Sequence, residues 1–208
     1  TPTAAPADTS PMLPILVFSA LLSAATANPF ADLIEPGLDS NTAFYEGAAR
    51  TYVFSPPAGY RLVLEEAAAA GLSMAYIPGD QDFDTADLLV GITIYKVDSA
   101  ATSFAGIIAE DTAAIRSHYG GRIEMWPVDS MCNAQGEIIP TVYVNDPAAF
   151  VPTVMVSYYN GGAEIIILEL VISPRQPRFK AEAVFELILE RFKSLRRGDP
   201  SKIEFGQG

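Results

Sequence analysis

The chain of 208 residues carries 13 basic and 25 acidic side chains, a net charge of −12, with half its residues hydrophobic and a single cysteine, histidine and tryptophan. That balance argues against nucleic acid or an anionic membrane as partner. One cysteine excludes an internal disulfide, and one histidine limits every histidine-based triad or metal site to His118.

The first feature in chain order is an apolar run from Leu13 to Ala27 that closes on Ala25-Thr26-Ala27. It is shorter than the roughly 20 apolar residues of a membrane-spanning helix, and its small terminal residues fit a signal-peptidase site before Asn28. The expectation is an exported protein, periplasmic or extracellular, soluble and without a stable membrane anchor after cleavage. No basic residue precedes the run, so a start at Met12 would leave the free amino group as its positive charge, with residues 1–11 upstream. The competing expectation for such a run is a buried core helix.

Residues 28–50 read as an irregular lead-in, residues 51–197 as a single domain and residues 198–208 as a tail. Strands are expected at 51–54, 60–64, 72–77 and 88–97, separated by the Pro56-Pro57-Ala58-Gly59 turn, Pro78-Gly79 and an acidic loop. Phe104, Ile107, Ile108, Ile115 and Tyr119 recur at helical spacing within 100–119, with Asp98 or Ser99 as cap and Gly120-Gly121 as stop. Further strands are expected at 122–128, 138–144, 153–159 and 163–172, the last two joined by Asn160-Gly161-Gly162, a strong hairpin signal. A helix over 177–195 completes the pattern, with Ala181, Val184, Phe185, Ile188, Phe192 and Leu195 on one stripe. Strand 165–172 is apolar on both alternating faces apart from Glu169, and a strand buried on both faces needs a layer on each side. The expected architecture is α+β, a central antiparallel sheet sandwiched between helices.

The order of these elements, with Pro57-Ala58-Gly59-Tyr60, Gly71-Leu72-Ser73-Met74-Ala75-Tyr76-Ile77-Pro78-Gly79, the helix around 102–116, the hairpin at Asn160 and the terminal Arg191-Phe192-Lys193-Ser194-Leu195, resembles the PsbP-like fold family. Within it the chain looks most like small exported bacterial proteins of unassigned function. The resemblance spans about 51–195. It implies the PsbP-like fold and a non-enzymatic binding or assembly role, and it maps no ligand residue onto this chain.

Candidate chemistry sits at four places. Asp80, Asp82, Asp84 and Asp87 alternate through a loop in the manner of ligands for a hard cation such as calcium, the one cofactor the sequence offers. The set is incomplete as an EF-hand, with Thr85 where the turn needs glycine and Gly91 where the bidentate Glu belongs. Glu169, inside an apolar strand, is desolvated, which either poises it for acid–base work or calls for a cation from the last helix, Arg178 or Arg191; the cation pair is the preferred reading. His118 lies on the apolar side of the first helix, two turns from Asp111 and beyond hydrogen-bond reach of it, and no Gly-x-Ser-x-Gly elbow occurs. Cys132 reads as a small buried hydrophobe. Tyr158 and Tyr159 point to opposite faces, one into the core and the other, with Phe150 or Trp126, onto a contact surface. From Arg175 onward eight basic residues (Arg175, Arg178, Lys180, Arg191, Lys193, Arg196, Arg197, Lys202) face five acidic ones, a solvated helix face with cations near its last turn. The functional expectation is an exported, non-enzymatic binding or accessory protein with a protein or envelope component as partner. A calcium-responsive module using the acidic loop and a hydrolase centred on His118 are the alternatives.

Overall fold

The computed structural model describes residues 34–36, 41–97, 103–119, 123–128, 131–145, 153–173 and 176–196. In chain order these form β1 (Ile34–Pro36), β2 (Ala43–Glu46), β3 (Arg50–Phe54), β4 (Tyr60–Val63), α1 (Glu65–Ala69), β5 (Met74–Pro78), β6 (Leu88–Lys96), α2 (Phe104–His118), β7 (Glu124–Val128), β8 (Thr141–Asn145), β9 (Thr153–Asn160), β10 (Glu164–Ile172), α3 (Arg178–Arg191) and β11 (Lys193–Arg196). The expected α+β class holds. The apolar run at 13–27, the Gly120-Gly121 stop and Phe150 lie outside the described residues.

The large sheet runs β4-β5-β6-β10-β9-β8-β7, all neighbours antiparallel, and places the most apolar strand at its centre. Every residue of β10 is buried, and it pairs along its whole length with β6, from Glu164 opposite Lys96 to Ile172 opposite Leu88. Side chains alternate between faces. Ile166, Leu168, Leu170 and Ile172 join Ala181, Phe185, Ile188 and Leu189 of α3 in one core. Ile165, Ile167 and Val171 join Ile107 and Ile115 of α2 and Ala67 of α1 in the other. Each such buried side chain contributes about 1.5–3 kcal/mol relative to exposure, so the sandwich of helices about one sheet follows from the two-sided burial of β10.

Three features depart from the sequence expectation. The lead-in is not irregular throughout, because β1 and β2 lie within it and build a second sheet, β1-β2-β3-β11. Ala43 and Tyr45 alternate into the core on the α3 side, a period of two too short to stand out among the surrounding prolines and glycines. The strand at 51–54 therefore belongs to this smaller sheet rather than the central one. The last helix stops at Arg191: Phe192 turns extended (φ −64°, ψ 126°) and the chain continues as β11 against β3. Phe192 stacks on Phe54 at 5.1 Å and meets Tyr159 edge-on at 5.1 Å, so burying this ring redirects a sequence whose charges read as a helix end. The short helix α1 follows β4 in the stretch between the strands expected at 60–64 and 72–77, where no element was expected.

A buried acid fastens the two sheets. Glu164 is buried and accepts hydrogen bonds from the Ala48 amide (2.6 Å) and the Tyr52 hydroxyl (3.1 Å), linking the β2–β3 turn to the start of β10. Arg50 adds a second link, donating to Tyr159 (3.1 Å) and Ser194 (2.9 Å). The β9–β10 hairpin closes with Gly161 donating to the Glu164 carbonyl (2.8 Å), and Gly162 takes a φ of 93°. At Gly161 the reason for glycine is proximity: a Cβ there would fall 1.9 Å from the Tyr52 hydroxyl oxygen. Gly161→Ala is expected to cost about 1–3 kcal/mol in a urea melt, the range for forced overpacking. Tyr52→Phe, which removes the clashing oxygen, is expected to recover part of that cost in the double mutant.

Candidate functional site

The acidic loop folds around its apolar residues. Phe83 and Ala86 are buried, Asp80, Asp82 and Asp84 are exposed, and Asp87 is half-buried. Gln81 closes the loop, accepting from the Asp87 amide (2.8 Å) and donating to its carboxylate (3.4 Å). The Asp82 carbonyl accepts from the Thr85 amide (3.1 Å), forming a 3-10 turn over Phe83–Thr85. Among the described residues, no group of three or more His, Cys, Asp or Glu side chains is placed to hold a metal ion. His118 ends α2, and its side chain lies outside the described residues. Cys132 is half-buried and forms an isolated bridge with Ile138.

Glu169 is the candidate the structure develops furthest. It is 3% exposed and sits at an odd position of β10, opposite Gly91 of β6 and Val156 of β9. Odd positions face α2, whereas Arg178 and Arg191 belong to α3 on the other face, so the expected cation pair does not form. Arg178 instead bonds Glu182 at 2.5 Å and lies 3.9 Å over the Tyr143 ring, and Arg191 donates to the Pro56 carbonyl (2.9 Å).

What faces Glu169 is another acid. Asp111, 7% exposed, occupies the centre of the α2 stripe between Ile108 and Ile115 and accepts a hydrogen bond from the Tyr158 hydroxyl on β9. Burial pushes the Glu169 carboxyl well above the usual carboxylate range, and charge on Asp111 pushes it the same way. Burial also raises Asp111, while the bond from Tyr158 pulls it back. Burial first, then the neighbouring acids, drives the Tyr158 phenol upward, so it stays a neutral donor. Tyr119, at the end of α2, is pushed up to about 12 by burial and by the charge of Glu169. The pair therefore loses protons in two steps, Asp111 first, because its carboxylate has the phenol to receive it.

This arrangement holds a proton out of solvent. A general acid must come within hydrogen-bond reach of its substrate, and here α2 and the sheet close over both carboxyls. Sequence reasoning found Glu169 and placed Asp111 on the apolar face of its helix, but did not join them. The signal was available: each acid interrupts an otherwise apolar stripe, and the two interrupted stripes face each other. The tyrosine pair does point to opposite faces, yet both rings are buried because the sheet is covered on both sides. Trp126 packs tilted against Tyr143, with ring centroids 4.7 Å apart, and keeps part of its surface exposed.

No family model matches the chain, and no curated protein matches it. Among solved structures, the solution structure of cyanobacterial PsbP (CyanoP) from Synechocystis sp. PCC 6803 matches with a TM-score of 0.48 at 12% identity, over 76% of this chain and 95% of that one.

A carboxyl whose pKa is raised by folding binds more protons in the folded state, so its contribution to stability is complete below the unfolded value, near 4.3 for Glu, and is lost as pH rises toward the folded value. Each pH unit in that window removes about 1.4 kcal/mol. Glu169→Gln is expected to flatten this decline and to be more stable than the parent at pH 7, as read from urea melts at pH 4.5, 6 and 7.5.

Proposed function

We propose that the chain is an exported binding or accessory protein that performs no chemistry, and that it meets a protein or envelope partner through its α3 face. The observation that carries this reading is the placement of exposed apolar side chains. Phe179 is 69% exposed and recurs with Ala183 and Leu187 at four-residue spacing along the outer side of α3. Ile138, 76% exposed, lies on a loop whose Ala134 amide donates to the Phe192 carbonyl at the end of the same helix. Trp126 joins them on this face through Tyr143, beneath Arg178. Single exposed hydrophobics are ordinary, whereas several on one face support an interaction surface.

The reading agrees with the binding or assembly role implied by the resemblance of the landmark residues. Among the described residues, no helix is long and apolar enough to cross a membrane. Calcium dependence through Asp80, Asp82, Asp84 and Asp87 is a finer form of the same reading and can be resolved in the same experiment.

Cross-linking capture from envelope extract, followed by affinity measurement on the recovered partner, tests the proposal. Phe179→Ser/Leu187→Ser is expected to weaken that partner at least about tenfold, a loss of about 1.4 kcal/mol, with an unchanged melting midpoint. Equal affinity in the double variant would overturn the assigned face. A loss of affinity in chelator that Asp82→Asn/Asp84→Asn reproduces would establish the calcium-dependent form.

A further inference from the structure

The two helices that cover the sheet are held by different chemistry. Against the sheet, α3 presents Ala181, Phe185, Ile188 and Leu189, and it is fastened further by Arg191 on Pro56 and Ala134 on Phe192. The corresponding stripe of α2 has Ile107 and Ile115 with Asp111 between them. Its bond to the sheet runs from the Tyr158 hydroxyl to that carboxyl, and Tyr158 sits on β9 opposite Ile167, two residues along β10 from Glu169.

We propose that α2 is a pH-released cover, packed on the sheet while the Asp111–Glu169 pair keeps a proton and loosened when both carboxyls ionise. The titratable groups that face Glu169 among the described residues are Asp111 and Tyr119 on α2 and Tyr158 on β9. The β6 strand contributes Gly91 and Thr93, and Leu72 packs above Gly91, so that side adds no charge. Tyr95 of β6 lies on the same face, four register pairs away opposite Ile165. His118 follows on α2 with its side chain outside the described residues.

Two negative charges in an apolar interface repel each other at low effective dielectric and have lost their hydration. They belong to different elements, Asp111 to a helix and Glu169 to the central strand. Moving the helix relieves the repulsion and hydrates both groups; moving the strand would dismantle both cores. Local opening is therefore drawn from α2. Its release uncovers Ile165, Ile167, Val154 and Val156, an apolar surface distinct from the α3 face.

Hydrogen exchange of the intact chain at pH 5, 6.5 and 8, corrected for intrinsic rates, tests this directly. Amides of α2 from Ile107 to Ile115 are expected to lose at least about tenfold in protection relative to α3 amides from Phe185 to Leu189 over that range, since each pH unit beyond a linked ionisation changes the opening equilibrium up to about tenfold. In Glu169→Gln the ratio between the helices should become independent of pH. Should that variant fail to fold, Asp111→Asn serves the same purpose, since its amide oxygen still accepts from Tyr158. Equal pH dependence in α2 and α3, or a variant that follows the parent, would overturn the proposal.

Discussion

The burial of β10 on both faces governs this structure. Its nine residues are all buried, so the strand must lie at the centre of a sheet and that sheet must be covered twice. One cover is α3 together with the smaller sheet; the other is α2 with α1 and the turn that carries Phe83. With β10 fixed, the hairpin at Asn160 sets the register of β9 and the long antiparallel ladder sets that of β6.

Both acids of β10 follow from the same constraint, and the parity of the strand gives them opposite duties. Glu164 projects to the side of the small sheet, where the Ala48 amide and the Tyr52 hydroxyl satisfy it. Glu169 projects toward α2, where it faces Asp111 and the tyrosines. A buried polar group is tolerated when it is satisfied and costly otherwise. Glu164 therefore fastens two sheets through those bonds, whereas the Asp111–Glu169 pair is stable only while it keeps a proton. The same fold thus has a firm face, where exposed aromatic and aliphatic groups gather along α3, and a conditional one beneath α2.

What the sequence disclosed depended on how much of the physics was local. The strands around Asn160 were legible because turn chemistry and apolar alternation coincide there, and α2 and α3 because their apolar spacing is helical. The α1 turn at 65–69 and β2 at 43–46 were not, being too short for either period to register. β11 was hidden by its own composition: Lys193-Ser194-Leu195-Arg196 looks like a charged helix end, and only the packing of Phe192 against Phe54 and Tyr159 turns it into a strand. The partner of Glu169 was missed for the same kind of reason. A cation from the last helix was chemically reasonable, but β10 parity directs Glu169 to the opposite side of the sheet, and which helix covers which face is a property of topology.

The hold of α2 on the sheet depends on Glu169 keeping its proton inside the α2–sheet interface. The most direct measurement is a carbon-13 NMR titration of the side-chain carboxyls of Glu169 and Asp111 in the intact chain. Asp111 is expected to titrate before Glu169, and Glu169 to remain protonated well above the usual carboxylate range. A Glu169 carboxyl that titrates near 4.3, the ordinary value for glutamate, would contradict this expectation.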